Sequence, residues 1–329
     1  MLSKWRELHP GGKRILAIFL AIIISYAAII GFISHTNDSV ANKLDDTLSA
    51  KMLQKRYDVY TQITSVDPLS GEATARIEPW PLDDSLGYRY RSGWMPLLDV
   101  SLNVDAIEGT APGGTNLYTF KNNVPTGGIT ATLDESSNAA AANISHYPFD
   151  KYTFEVPMSA QYTDASGNLQ NLPILPQDYT KSIDTFSIVM KHVLWSDSTE
   201  VVDAAHPSTI KDAVNEYNQG LTSSIFYATR SPSTKLLTVI ILLLMLTAFA
   251  SVSTMAFLVS TRKRPPSLGA LTWSAALTFS LIGLRGLFPG NPPIGIMIDK
   301  VVYFPALLAT LVCSLSILIA WSHREDFTV

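Results

Sequence analysis

Ser208 and Lys211 are the pair whose types and spacing come nearest to chemistry. Ser-x-x-Lys sets a hydroxyl one helical turn from an amine, the arrangement used for acyl transfer. The same residues, Ser208-Thr209-Ile210-Lys211, follow Pro207 and lead into an amphipathic run that closes at Gly220. A helix start capped by Ser208 or Thr209, with Asp212 in its first turn, accounts for them, and neither partner motif of that enzyme class occurs. His146, His192 and His206 show no His-x-x-x-His or cysteine spacing, so a metal centre is not expected. Asp45-Asp46 and Asp83-Asp84 read as a solvated helix face and a turn. With no Gly-x-Ser-x-Gly elbow and no phosphate loop, the residues predict a protein that is not an enzyme and carries no cofactor.

A second group suggests placement rather than reaction. Tyr147-Pro148-Phe149-Asp150 combines a fixed bend, two rings that can bury against a sheet and an aspartate that can cap the turn. Arg230 and Pro232 lead directly into a long apolar run, where an arginine can snorkel or brace a domain against a membrane. Arg285 lies near the end of a later apolar run, and Asp299 opens the next one. A charge at that depth is costly unless paired, so an Arg285–Asp299 contact is expected, with simple snorkelling as the alternative. Pro292 and Pro293 stiffen the loop between those two residues. Tyr147, Pro148, Phe149, Asp150, Arg230, Pro232, Pro292 and Pro293 are therefore candidates for coupling a domain to a membrane.

The elements that must position these residues are set by four apolar segments. Residues 15–34, 236–260, 268–287 and 301–321 are each long enough to cross about 30 Å of hydrocarbon. Lys13 and Arg14 precede the first, and Arg262, Lys263 and Arg264 fill the turn between the second and third. The excess of Lys and Arg marks the cytoplasmic side. Residues 1–14, 261–267 and 322–329 are then expected in the cytoplasm, and residues 35–235 and the loop 288–300 outside. The first segment has no small-x-small exit, so it reads as a retained span rather than a signal peptide. Ser and Thr at 247, 251, 253 and 254 read as helix-packing positions.

Residues 35–235 carry 24 acidic and 14 basic side chains, and this acidity argues against nucleic acid as a partner. The sole cysteine, Cys313, falls in the last apolar segment. A cysteine-free outer domain needs a real hydrophobic core and fits a bacterial envelope.

Val40, Leu44, Leu48 and Met52 recur every fourth residue, an amphipathic helix. From Tyr57 the period becomes two. Strands are predicted at 57–66, 73–79, 98–106, 116–120, 128–133, 151–158, 183–194 and 221–229. Short strands with polar connections predict a β-rich antiparallel sandwich inserted between the first span and a three-helix C-terminal bundle.

Taken in order, a span, a β-rich region with Tyr147-Pro148-Phe149-Asp150, Arg230-Ser231-Pro232, a span, Arg262-Lys263-Arg264-Pro265-Pro266, a span, Pro289-Gly290-Asn291-Pro292-Pro293-Ile294-Gly295, Asp299 and a span resemble an actinobacterial, largely mycobacterial, membrane family, domain of unknown function 4436. The resemblance implies a plasma-membrane protein in contact with lipids. It suggests an accessory subunit, with protein partners, of an envelope lipid importer of the mammalian-cell-entry type. A more distant similarity of order links Trp94-Met95-Pro96, Pro148-Phe149-Asp150 and Arg230-Ser231-Pro232 to pentameric ligand-gated channels. One span before the outer domain and three after it depart from that pattern, as do Trp273 and Phe279 in the helix that would line a pore.

Overall fold

A computed structural model of the chain describes residues 43–91, 93–104, 108–109, 116–135, 144–179, 182–183, 185–197 and 200–323. The expected first span, with Lys13, Arg14 and Val40, lies outside the described residues.

A helix over residues 43–51 (α1) comes first, with Leu48 fully buried on its inner face. Strands β1 (Tyr57–Asp67), β2 (Glu72–Pro81), β3 (Gly87–Tyr90) and β4 (Gly93–Pro96) follow, then β5 (Val100–Val104), β6 (Glu108–Gly109), β7 (Leu117–Phe120) and β8 (Ile129–Asp134). The next are β9 (Lys151–Thr163), β10 (Leu169–Asn171), β11 (Ile174–Asp178), β12 (Ser182–Ile183) and β13 (Phe186–Val193). Helix α2 (Pro207–Asn218) separates these from β14 (Leu221–Arg230).

One sheet has the order β11-β1-β2-β8-β6 and a second the order β12-β13-β14-β9-β5-β7, while β3 and β4 form a separate hairpin. Alternation decides which side chains go inward. In β9, Tyr152, Phe154, Val156, Met158 and Ala160 are buried, and the residues between them are less so. They share one apolar cluster with Val59, Ile63, Ala75 and Ile77 of the other sheet. Trp94 sits within it, its ring 5.2 Å from Tyr57 and 5.3 Å from Phe120.

The pairing departs from an all-antiparallel arrangement, because β1 runs parallel to β11 from Tyr57↔Ile174 to Thr61↔Asp178. The long connection that carries the chain through β9 and β10 brings β11 to the free edge of β1 in that direction. The hairpin β3–β4 and the edge strand β11 carried too little alternation to be predicted.

The helix after β13 begins two or three residues earlier than expected, with His206 rather than Ser208 or Thr209 at its N-cap position. Pro207 occupies its first turn and His206 precedes it without a side-chain cap, and its first turn holds no acid. Thr209 Oγ1 instead donates to His206 O at 2.8 Å and accepts from Asp203 N–H at 3.2 Å. Ser208 and Lys211 are both exposed. Gly220 ends the segment at φ 75°, where an added Cβ would lie 2.4 Å from Ala160 O.

Beyond β14 lie α3 (Pro232–Ser260), α4 (Leu268–Gly286) and α5 (Phe304–Ser322), the last entered through a π-helical turn at Asp299–Tyr303. These three are long and apolar enough to cross a membrane. Ser231 caps α3 and Ser267 caps α4. Arg262, Lys263 and Arg264 are exposed in the turn between them.

Candidate functional site

Strand β14 passes into α3 with only Ser231 between them, so its last residue, Arg230, stands where sheet meets helices. Proline at the first helical position suits this abrupt change, since its missing N–H is one that the helix start would leave unpaired. Arg230 is 1% exposed. Its Nε donates to both carboxylate oxygens of Asp150, at 2.9 and 3.1 Å, and Nη1 donates to Thr185 Oγ1 at 2.8 Å. The guanidinium lies 4.2 Å from the Phe186 ring centre and 5.1 Å from that of Tyr147. Arg230 thus ties the end of β14 to Asp150 and Thr185 in a buried site. Asp150, expected as a turn cap, is instead the buried counter-ion.

Tyr147 reaches across from the strand side to the helices. Its hydroxyl donates to Pro289 O at 2.9 Å and lies 3.0 Å from Thr238 Oγ1 of α3. Its ring packs 6.0 Å from Phe288, within the apolar cluster that holds Ile241, Met245 and Leu281. Burial raises the Tyr147 pKa above its ordinary value, against the lowering effects of Thr238 and Arg230. The peptide bond to Pro148 is cis. Phe149 does not join this layer: it is 65% exposed, so only one of the two rings expected to bury does so.

A second ion pair holds the loop on which Tyr147 rests. Arg285 Nε and Nη2 donate to Asp299 Oδ1 and Oδ2 at 2.6 and 2.9 Å, with Asp299 fully buried. Nη2 also donates to Pro292 O and Pro293 O at 3.1 and 2.9 Å. Gly295 N–H donates to Asp299 Oδ2 at 2.8 Å, so one carboxylate fastens both the arginine and the loop. Pro292 and Pro293 therefore act through their carbonyls as well as their stiffness. Met297 N–H donates to Ser145 O at 3.0 Å, a further tie to the segment before Tyr147. Gly290 has φ 73°, and an added Cβ would lie 2.8 Å from Arg230 Nη1, so a glycine lets the loop close over the first pair.

The result is a continuous layer from Asp150 through Arg230, Tyr147 and Pro289 to Arg285 and Asp299. It holds two parts of the chain in one geometry. Pro232 serves it only by starting α3.

A cluster that the sequence reading missed lies at the other end of β13. His192 Nε2 is 2.6 Å from Asp45 Oδ1 on α1, and Tyr217 of α2 places its hydroxyl 3.3 Å from Nδ1. His192 is 4% exposed, and burial raises the Tyr217 pKa. The three residues join α1, α2 and the sheet beside a small apolar cluster of Leu48, Leu175, Ile210 and Ala213. The one available hint was a histidine at an inward position of a predicted strand. Among the described residues, no group of three or more His, Cys, Asp or Glu could hold a metal ion.

Residues 50–204 match the family described as domain of unknown function 4436. Residues 230–324, which span Arg230 and all three helices, match a second family, domain of unknown function 8686. No curated protein matches the chain. The second match begins at Arg230, the arginine that joins the two parts of the structure.

Proposed function

We propose that the chain is a four-span protein of a bacterial plasma membrane whose β-rich part, a sandwich between the first and second spans, faces the periplasm. Both ends lie in the cytoplasm. It acts without catalysis as an accessory or scaffolding subunit of a transport assembly, and a lipid importer of the type named above is the first to test.

The observation that carries this reading is the buried joint. Arg230 and Asp150 are both at most 2% exposed, and Tyr147 is bonded to Pro289 of the helix-connecting loop. An anchor needs only a tether, whereas this joint fixes the orientation of the β-rich part on its helices. A partner bound to the outer domain is then held in register with the membrane part, and strain on one is felt by the other.

A ligand-gated channel is the second reading. Gly269, Thr272, Ala276, Ser280, Gly283 and Gly286 are exposed along one side of α4, a small and weakly polar face. Phe279 interrupts that face at 73% exposure and Trp273 flanks it at 43%, and such rings suit lipid or a packed neighbour better than water.

Purification of the tagged full chain in mild detergent, with mass spectrometry of what accompanies it, tests the proposal. Stoichiometric subunits of one transport system, with reduced uptake of its lipid on deletion, support the accessory role. A pure homo-oligomer that conducts ions in bilayers overturns it in favour of the channel.

A further inference from the structure

Helix α3 has two unlike faces. Thr238, Ile241, Met245, Val252 and Val259 are buried against the rest of the bundle. The opposite side, formed by Leu243, Leu246, Thr247, Ala250, Ser251 and Thr254, carries a shallow concavity of about 500 Å³. Its hydroxyls are already satisfied: Thr247, Ser251 and Thr254 each donate to a carbonyl one turn back at 2.7 Å. Apart from Leu243 and Leu246 the face is made of small residues with no unbonded hydroxyl proton, a condition under which helices approach closely in lipid. The outward side of α5 differs, with Leu308, Leu311, Val312, Leu315 and Ile319 between 44% and 65% exposed, a surface suited to acyl chains.

The chain that precedes the described residues supplies an occupant. Asp45 of α1 is bonded to His192, and Phe186 at the other end of β13 touches Arg230, directly ahead of α3. Six residue steps along the strand separate His192 from Phe186, about 20 Å. Residues 34–44 lie between Asp45 and the first apolar segment and can cover about 17 Å as helix or 36 Å extended. An extended connection is thus long enough for Ile15–Ile33 to reach the head of α3.

The segment carries Ala17, Ala21, Ser25 and Ala28 at spacings of four, four and three, one small-residue face of a helix. Levelling Ile33 with Leu236 at equal rise in an antiparallel pair sets Ala17, Ala21 and Ser25 within one turn of Thr254, Ala250 and Thr247.

We propose that the outward face of α3 is the docking surface for the apolar segment Ile15–Ile33 of the same chain, running antiparallel. This rests on the reading of that segment as a span. The joint and this docking would then hold α3 from above and from the side.

Cysteine pairs in full-length Cys313→Ser protein, oxidised in native membranes, test it. Ala21→Cys with Ala250→Cys, and Ser25→Cys with Thr247→Cys, are expected to form disulfides within one chain. Ser25→Cys with Leu311→Cys on α5 is expected to give at least ten-fold less. These substitutions are small and polar or aliphatic, and a monodisperse elution profile verifies folding. Cross-links between two chains, equal yield with α5, or none at the α3 pairs would overturn the docking. A cysteine at Ser3 separates the two failures. Its labelling from outside intact cells sinks the span reading itself, whereas protection of Ser3 without cross-links sinks the docking alone.

Discussion

Arg230 and Asp150 stand eighty residues apart in the chain, yet the arginine Nε donates to both oxygens of a carboxylate that has no exposed side-chain surface. Removing either partner strands the other charge in a buried site. Arg230→Ala or Asp150→Ala is expected to destabilise the protein by about 3–5 kcal/mol, read as a lowered thermal midpoint in detergent. Arg230→Lys should not rescue it, because a lysine keeps the charge but loses the contact with Phe186 and the bond to Thr185. Recovery of wild-type stability by lysine would show that charge alone matters.

The Arg285–Asp299 pair makes a related but distinguishable prediction. Either single change to Leu should cost about 3–5 kcal/mol. The double change should cost less than their sum by more than 0.5 kcal/mol, since contacting residues couple. Asp299→Leu should be the worse single change, because Gly295 N–H also loses its acceptor. Strict additivity in the cycle would mean that the two side chains act independently.

Tyr147→Phe removes one hydroxyl and leaves the ring. The loss of its bond to Pro289 O is expected to cost about 0.5–1.5 kcal/mol. Gly290→Ala should cost about 1–2 kcal/mol from its left-handed backbone alone, and more because the new Cβ meets Arg230 Nη1. Hydrogen exchange should show both effects as faster opening of residues 288–298, with β1 and β2 unchanged.

Alkaline pH offers a test on the β-rich part. Burial raises the pKa of Tyr57, Tyr147, Tyr152 and Tyr217 above the ordinary tyrosine value. A raised folded-state value means that the native protein holds protons which the unfolded chain releases. The stabilisation from these groups is therefore complete below about pH 10 and is lost as pH rises through the folded values. Ultraviolet titration should find them resisting ionisation until unfolding. Free titration near pH 10 with the fold intact would contradict their burial.

Asp45→Ala should free α1 without unfolding the sheets. Limited proteolysis is expected to cut near residues 43–52 several-fold faster than in the wild type, with β9 and β14 still protected. Unchanged cleavage would show that Leu48 and Met52 hold α1 without the bond to His192.

Local periodicity carries information about elements, and that much was legible from the residues alone. Alternation marks β9 and β14, and unbroken apolar length marks α3, α4 and α5. Arg285 and Asp299 could also be matched in advance. They are only fourteen residues apart on either side of a stiff loop, and a charge in such apolar surroundings demands a partner. Where a pairing spans distant segments, no local signal exists. Asp150 meets Arg230 only because sheet order and register bring their segments together, and Asp45 meets His192 only because α1 packs its Leu48 and Met52 beside the sheet. The same holds for the parallel contact of β1 with β11, which depends on how the chain returns and not on either strand. Tyr147 and Phe149 put the limit most plainly. Both are aromatic and two residues apart, and one is buried while the other is 65% exposed. Composition could say that a ring would bury there, but only the position of the helices beneath the sheet decided which.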